Sequence, residues 1–351
     1  MRTSMRILHV AYQQWRRYGN DRRTSWVEKL DYGLIKNNHY VINYSDRDVA
    51  AFEAPFGLRD LGRGRANKHL LEMVDASEPD MIILGHCDMI TPETVREMRR
   101  LQPSALIAHC NCDPIFVPNN VKNIKSRASM VDAVFISTGK RALGEFEGLG
   151  ARIYHMPNPV DPAMEPLDNS VRSDLGIDLL FCSNATKHST RGVTVDFIRN
   201  AVANEMNFKI YGSFGQPPIW GRDYDRVLAD TRMSLNLNRQ EGDYWYSSDR
   251  MAQLAGNGIL QFTHSSQGFQ DLLPPESMVY FDSNEDLLKK VREFHHDDAR
   301  RMAWAARARD FFQREMNATL YARYIVEATA QQPFSHDYVW ARDIHPDGRL
   351  K

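Results

Sequence analysis

The strongest constraint on the fold is a strict alternation of short apolar segments with helical ones. In the first part of the 351-residue chain, apolar runs occur at residues 6–12, 40–44, 80–85, 105–109, 132–137 and 152–156. Helical segments are predicted between them at 26–36, 66–75, 92–101 and 140–147. Continuous apolar runs of this length are typical of strands buried on both faces of a parallel sheet. The pattern therefore predicts a doubly wound α/β sheet.

A second alternating series follows Met156–Pro162, a segment that contains three prolines. Strands are predicted at 178–183, 208–212, 233–237, 259–262 and 278–281, and helices at 194–206, 224–231, 284–294, 299–313 and 319–330. A chain of this length usually forms two domains, and the proline-rich segment marks the boundary. We expect two doubly wound Rossmann-like domains facing a cleft, at residues 1–160 and 174–318. The helix and tail at 319–351 are expected to cross back to the first domain.

Composition argues against several classes of protein. A net charge of -1 gives no argument for binding to nucleic acid, and no apolar run approaches the length of a membrane span. The four cysteines are too few and too irregularly spaced for a disulfide framework, and the N-terminus lacks a signal-peptide apolar region. We expect a cytoplasmic protein, with any membrane contact peripheral and at the inner face of the membrane.

One stretch, Ser247–Leu260, predicts an anion site. Ser247, Ser248 or Asp249 can cap the start of a helix, because their side-chain oxygens accept hydrogen bonds from unpaired backbone N–H groups. A helix start also presents a positive dipole end, and Arg250 adds a full charge there. Such a site suits a phosphorylated ligand. Many α/β proteins carry a capped helix followed by glycines, so the stretch alone names no reaction.

Five stretches carry a family resemblance by their order and spacing. They are Cys112–Pro114, Val131–Ser137, Met156–Pro162, Leu180–Asn184 with Lys187 and Arg191, and Leu235–Asn238 followed by Arg250, Gln253 and Gly258–Leu260. Together they resemble the CgeB-like (spore-maturation-protein-like) glycosyltransferases, a group with the GT-B fold. The resemblance implies transfer of a sugar from a nucleotide-activated donor to a glycan, glycolipid or glycoprotein acceptor, with no metal and no further cofactor.

The resemblance also implies that the C-terminal domain binds the donor. Arg250, with Arg191 or Lys187, is expected to hold the phosphate, because fixed positive groups stabilise the charge that develops on the leaving group. Gly212 is expected to allow close approach of the nucleotide. The expected donor-binding residues are Ser183, Lys187, Arg191, Gly212, Asn238, Ser247, Ser248, Arg250 and Gln253.

One residue departs from the family pattern. A Glu usually stands three residues after the Arg and binds the ribose diol, but Gln253 stands at that position here. An amide still hydrogen-bonds a hydroxyl, although it carries no charge and donates as well as accepts. The departure leaves open which nucleotide and sugar are bound, and an unusual or monophosphate-linked donor is an alternative.

An inverting transferase needs a general base beside the acceptor hydroxyl. Asp113 is the first choice because it follows the fourth strand at its cleft-facing end, and Asp88 and Asp21 are reserves. The alternative is that Asp113 only braces the Asp-Pro turn. A retaining enzyme would need no such base, and the sequence leaves the two mechanisms open.

Two groups of soft ligands, His86–Asp88 and His109–Cys112, follow adjacent strands. Zinc is one interpretation, but the spacing lacks a CxxC pair and strand alternation turns the histidine of the second group away from its cysteines. We therefore expect no metal site. Asp46–Asp48 matches the DxD motif of metal-dependent transferases by letters only, and a solvated turn is the favoured interpretation.

The loop after the first strand holds four arginines and two aromatic residues. One interpretation is contact with an anionic or glycan acceptor, through charge and ring stacking, and the other is a basic solvated loop. The candidate acceptor-binding residues are Arg16, Arg17, Arg22 and Arg23.

Two other functions stay open on the sequence. One is an epimerase of nucleotide sugars with the same two-lobed architecture, which would form product without an acceptor. The other is a non-catalytic two-lobed protein that binds a sugar or a nucleotide, which would release no nucleotide.

Overall fold

A computed structural model of the chain describes residues 4–19 and 22–342, and these residues form two compact units. The first unit contains residues 4–17, 25–157 and 318–342, and the second contains 18–19, 22–24 and 158–317. The chain therefore enters the second unit briefly in its first loop, and its C-terminal helix belongs to the first unit. Asp21, a reserve candidate for the base, lies outside the described residues.

Eleven α-helices occur in the described part of the chain. They are α1 Trp26–Lys36, α2 Asp46–Phe52, α3 Arg59–Ser77, α4 Pro92–Leu101, α5 Pro118–Lys125, α6 Thr190–Ala201, α7 Gly221–Leu228, α8 Asp249–Gly256, α9 Asn284–His296, α10 Asp298–Glu315 and α11 Ala318–Thr329. None of these helices has the length and apolar character that crossing a bilayer requires.

The sheet of the first unit has six parallel strands. Their bounds are β1 Arg6–Val10, β2 Tyr40–Tyr44, β3 Met81–Leu84, β4 Leu106–Asn111, β5 Ala133–Ile136 and β6 Arg152–His155. The strand order is β2-β1-β3-β4-β5-β6, so the winding direction reverses between β1 and β3. In open α/β sheets, ligands bind beyond the carboxyl ends of the strands at such a reversal.

The sheet of the second unit has five parallel strands. Their bounds are β7 Ile177–Ala185, β8 Phe208–Ser213, β9 Thr231–Leu235, β10 Leu260–His264 and β11 Val279–Phe281. The order β11-β10-β9-β7-β8 reverses between β7 and β9. The core beside this sheet includes Leu179, Phe181, Leu235 and Phe262, all wholly buried. The prediction of two doubly wound α/β domains is confirmed.

Several predicted element bounds were wrong. The helix predicted at 66–75 is longer than expected, because α3 already begins at Arg59. Gly62 explains this: a β-carbon there would lie 1.9 Å from the carbonyl oxygen of Ala50, so α3 packs directly on α2. Close packing therefore outweighs the poor helix propensity of glycine. The helix predicted at 140–147 is a 3-10 helix, Lys140–Phe146, and α7 begins three residues before its predicted start.

Helix α11 packs on α1 and on the strands β4 and β5. Its Tyr324 is wholly buried and contacts the ring of Trp340 edge-on, at 5.6 Å between ring centroids. Trp340 is 1% exposed, so the described part of the tail contributes to the core of the first unit. Helix α11 also packs closely on α1, because Gly33 of α1 faces the backbone of Ala318, the first residue of α11.

We predict that Gly33→Ala destabilises the first unit by about 1–3 kcal/mol, the usual cost of overpacking. A β-carbon at Gly33 would lie 2.0 Å from the carbonyl oxygen of Ala318, and a backbone atom gives way less easily than a side chain. Thermal unfolding measures the effect. Gly64→Ala is the matched control, since a β-carbon at this position inside α3 would meet no atom within 4 Å. Equal melting temperatures for the two variants would contradict this account of the packing.

Candidate functional site

A buried arginine, Arg191, lies beside the point where the strand order of the second sheet reverses. Arg191 is the second residue of α6, the helix that follows β7, and only 8% of its surface is exposed. Ser189 starts the helix, since its hydroxyl oxygen accepts a hydrogen bond from the backbone N–H of Gly192 at 3.2 Å. Among the residues that the structure describes, the Arg191 side chain has no hydrogen-bond partner and no ion pair. Its guanidinium therefore offers unused donors.

A second arginine is fixed by neutral acceptors alone. Arg250, the second residue of α8, donates from Nη2 to the carbonyl oxygen of Leu237 at 2.8 Å. Its Nε and Nη2 also lie 3.3 and 3.2 Å from Oδ1 of Asn236. No carboxylate pairs with Arg250 within residues 4–19 and 22–342. The carboxyl end of β9 therefore holds Arg250 in place and leaves its charge uncompensated.

The arginines act on one another electrostatically. Burial, together with the positive charges of Arg250 and Arg239, lowers the pKa of Arg191 to about 10. Burial also lowers the pKa of Arg250. Each side chain stays protonated at neutral pH, so the cluster concentrates like charges that an anion would neutralise.

A pocket opens beside Arg191, between the start of α6 and the carboxyl ends of β9 and β10. Its other polar lining residues are Thr190, Thr194, Asn236, Asn238, Glu241, Thr263, His264 and Gln267. The pocket thus joins two predicted donor-binding residues, Arg191 and Asn238, to side chains that the sequence analysis did not select. Asn238 is held in place, because its Nδ2 donates to Oε1 of Gln267 at 2.6 Å.

The prediction that Ser247 or Ser248 caps α8 through its side chain was wrong. Ser247 is 1% exposed, and its hydroxyl oxygen accepts the backbone N–H of Asn158 at 2.6 Å, so Ser247 braces the proline-rich segment instead. Ser248 occupies the residue before the helix, but its side chain makes no capping bond. The Ser248 hydroxyl oxygen is buried and has no partner among the described residues.

Gln253, the departure from the family pattern, contacts the first loop. Its Nε2 donates to the backbone carbonyl oxygen of Thr24 at 3.1 Å. A Glu could not donate this bond, and its carboxylate would lie against a carbonyl oxygen. The contact therefore gives a physical reason for an amide at this position.

The other predicted donor-binding residues lie at or near the ends of β7 and β8. Gly212 has φ +76°, and a β-carbon there would lie 3.2 Å from the carbonyl oxygen of Ser183, so glycine suits both the backbone and the space. Ser183 also accepts a hydrogen bond from the hydroxyl of Ser213 at 2.5 Å. Lys187 is exposed. By contrast, Arg191 and Asn238 line one pocket together with Asn236, and Arg250 contacts Asn236.

In the first unit, the candidate bases belong to a charged cluster at the carboxyl ends of β3 and β4. Asp113 is largely exposed, and its Oδ2 lies 3.1 Å from Nδ1 of His86. Asp88 instead forms an ion pair with Arg47, at 2.8 Å between Oδ1 and Nε. Burial alone would raise the pKa of Asp88, but the hydrogen bond and charge of Arg47 outweigh burial and lower that pKa.

The prediction of a solvated turn at the DxD segment was wrong, because Asp46 and Asp48 are both buried in the first turn of α2. The Asp48 carboxylate accepts the backbone N–H groups of Trp15 at 2.9 Å and Arg16 at 3.3 Å, and so anchors the first loop. Burial, with the negative charge of Asp88, raises the pKa of Asp46. The described part of the chain holds no group of three or more His, Cys, Asp or Glu side chains suited to a metal.

The four arginines of the first loop divide between the two units. Arg16 lies over the ring of Phe52 at 5.3 Å, and Arg17 donates from Nε to the Tyr12 hydroxyl at 2.9 Å, both within the first unit. Arg22 and Arg23 belong to the second unit. The Arg23 guanidinium stacks 3.4 Å from the ring centroid of Trp220.

Sequence reasoning missed an acidic residue in the loop between β9 and α8. Burial raises the pKa of Asp243 to about 6, and one of its carboxylate oxygens has no hydrogen-bond partner within the described residues. Asp243 precedes three aromatic residues in a row, Tyr244–Tyr246, and this run could have indicated that the loop folds inward. Arg239, in the same loop, was missed as a third member of the arginine cluster.

Comparison with known proteins identifies a transferase region. Residues 191–327 match a family described as glycosyl transferase-like, and this range starts at Arg191 and contains Arg250. A search of curated proteins found no match to the sequence.

Solved structures share the fold over nearly the whole chain. HepE from Anabaena, in complex with UDP-glucose, superposes with a TM-score of 0.60 at 10% identity, covering 93% of this chain and 99% of that one. Sucrose-phosphate synthase from Thermosynechococcus elongatus gives 0.60 at 10% identity, covering 93% and 98%. A putative UDP-N-acetylglucosamine 2-epimerase from Listeria monocytogenes gives 0.54 at 12% identity, covering 92% and 95%. The family match and this GT-B fold indicate a glycosyltransferase.

We predict that Gln253→Glu loosens the first loop. The variant loses the hydrogen bond to Thr24, worth about 0.5–1.5 kcal/mol, and sets a carboxylate against the carbonyl oxygen. Trypsin cleavage after Arg22 and Arg23 should then accelerate by roughly tenfold, because cleavage follows the population of the open loop. Gln240→Glu, the same charge change at an exposed residue, is the control. Equal cleavage of both variants would mean that this contact does not hold the loop.

Proposed function

We propose that this protein transfers a sugar from a nucleotide-activated donor to a glycan, glycolipid or glycoprotein acceptor, without a metal ion. The observation that carries the proposal is the pair Arg191 and Arg250, two adjacent arginines with no carboxylate partner in the described part of the chain. The pair lies in the region that matches the glycosyl transferase-like family. The UDP-glucose bound to HepE, a protein of the same fold, supports the class of donor. We further assign the chain to the CgeB-like subgroup.

Arg191 and Arg250 hold the phosphate groups of the donor in this proposal. Both side chains are fixed or buried before the ligand arrives, so little reorganisation accompanies the reaction. Positive groups held in a poorly solvated site stabilise the negative charge that develops on the departing phosphate. The buried Ser248 hydroxyl and the first N–H groups of α8 supply further donors toward the same charge.

Gln253 is assigned a different role from the carboxylate of the family pattern. Because its amide nitrogen donates to Thr24, its remaining oxygen acts only as an acceptor for a donor hydroxyl. Asn238 in the pocket offers a second polar group at a fixed position. These two side chains are the proposed specificity contacts beyond the phosphate.

For an inverting reaction, the proposed base is Asp113. It is exposed enough to meet an acceptor, and its Oδ2 lies 3.1 Å from Nδ1 of His86. Asp88 is a poorer base because Arg47 holds it in an ion pair that lowers its pKa. The proton of the acceptor hydroxyl would pass to an oxygen of Asp113 as the sugar is transferred.

A thermal-shift screen over nucleotides and nucleotide sugars tests the donor class, since a ligand that binds only the folded state raises the melting temperature. We predict stabilisation of the wild type by at least one nucleotide and its sugar conjugate. Arg250→Ala should weaken this binding and lower the rate of nucleotide release by about 10²–10³-fold. Arg226→Ala is the control, because Arg226 is an exposed arginine of the same unit that pairs with Asp223.

Three results would count against the proposal. No stabilisation by any nucleotide would remove the donor class, and wild-type turnover by Arg250→Ala would remove the phosphate site. Conversion of the nucleotide sugar to its epimer without an acceptor would identify an epimerase instead.

A separate prediction concerns the base. Asp113→Asn should slow acceptor-free hydrolysis of the donor, in which water replaces the acceptor, by about 10²–10⁴-fold while nucleotide affinity stays unchanged. The rate is measured as nucleotide release, and the affinity as the thermal shift. Asp75→Asn, an exposed substitution on α3, is the control. An unchanged rate in Asp113→Asn would leave this residue the structural role of bracing its turn.

A further inference from the structure

A group of exposed apolar side chains lies in the first unit, at and around the turn between α2 and α3. Four large apolar side chains within ten residues are exposed: Phe56 (99%), Leu61 (67%), Phe52 (65%) and Leu58 (58%). We name these four residues the apolar corner. Single exposed apolar residues are ordinary on soluble proteins, but a concentrated group indicates a contact surface.

The backbone presents these side chains on a rigid support. Phe56 occupies the centre of the 3-10 helix Pro55–Gly57 with φ +57°, a left-handed conformation that a bulky residue rarely adopts. The turn joins α2 to α3, and these helices pack closely because Gly62 lies against the backbone of Ala50. A strained backbone and an unburied phenyl ring are both unfavourable for folding, so a role in folding does not explain them.

Basic side chains surround the apolar corner. The Arg16 guanidinium lies over the Phe52 ring at 5.3 Å, and its Nη2 would be 3.1 Å from a β-carbon at Gly57. Arg59, Arg65 and Lys68 are exposed on the first turns of α3. Acidic residues are fewer here, and one of them, Glu53, faces Arg65 at 3.9 Å. Apolar side chains surrounded by basic ones suit the boundary between the headgroups and the acyl chains of an anionic bilayer.

We propose that the apolar corner docks on an anionic lipid bilayer. Phe56, Phe52 and the two leucines enter the boundary between headgroups and acyl chains, while the arginines bind lipid phosphates. A lipid surface is favoured over a protein partner because a deformable bilayer accepts separately projecting side chains, and the surrounding charge matches anionic headgroups. The proposal is independent of the arginine site in the second unit, and it would bring the enzyme to lipid-borne acceptors.

Vesicle sedimentation of the full-length protein tests the proposal. The probes are phosphatidylcholine vesicles with and without phosphatidylglycerol. Wild type should sediment with the anionic vesicles and dissociate at high salt, because charge contributes to binding. Phe56→Ser and Leu61→Ser should each weaken binding by about tenfold or more, since each removes a large inserted side chain. Arg59→Gln with Arg65→Gln should weaken binding only where phosphatidylglycerol is present.

Tyr40→Ser is the matched control, since Tyr40 is an aromatic residue of the same unit, 62% exposed and outside the apolar corner. Circular dichroism and melting temperature check that each variant is folded, and two independent apolar substitutions guard against misfolding of one. Wild type that binds neither vesicle overturns the proposal, as does equal binding by Phe56→Ser, Leu61→Ser and Tyr40→Ser. Self-association abolished by Phe56→Ser, without vesicle binding, would also overturn it and identify an interface between copies.

Discussion

The candidate site of the second unit is built around two neighbouring arginines, Arg191 and Arg250, that have no carboxylate partner in the described chain. Their mutual repulsion is unfavourable for folding, and the unit tolerates it because Arg250 is bound by neutral acceptors at the end of β9. Arg191 is positioned by a helix start that needs Gly192, where a β-carbon would lie 1.9 Å from the carbonyl oxygen of Thr186. Sheet order, helix start and loop backbone thus serve one electrostatic arrangement.

The fold was predictable because its determinants are local. Buried parallel strands appear as unbroken apolar runs, and β3 and β5 are wholly buried along their length, as their sequences indicate. The position of Arg250 in the first turn of a helix was predictable for the same reason, since a polar loop precedes that helix and a glycine turn follows it. The short helices α2 and α5 were not predicted, because they carry too little periodic apolar sequence to stand out.

The details of the site depend on partners distant in sequence, and these the sequence does not reveal. Ser247 has the residue type of a helix cap, yet its hydroxyl oxygen accepts a hydrogen bond from the backbone N–H of Asn158, 89 positions away. Gln253 looked like a weakened ribose ligand, but its amide bonds a carbonyl 229 positions away. The buried DxD carboxylates follow the same rule, since their partners belong to other loops. Tertiary contacts, rather than residue type, decide which groups these side chains bind.

The division of the chain into units has a consequence for its modularity. The backbone passes between the units at 17–18, 24–25, 157–158 and 317–318, so neither unit is a continuous segment. A fragment ending at Pro157 would lack α11, which covers α1 and the strands around Tyr154. A fragment starting at Asn158 would lack Thr24, the partner of Gln253. Neither fragment therefore carries all the contacts that its unit makes in the intact chain.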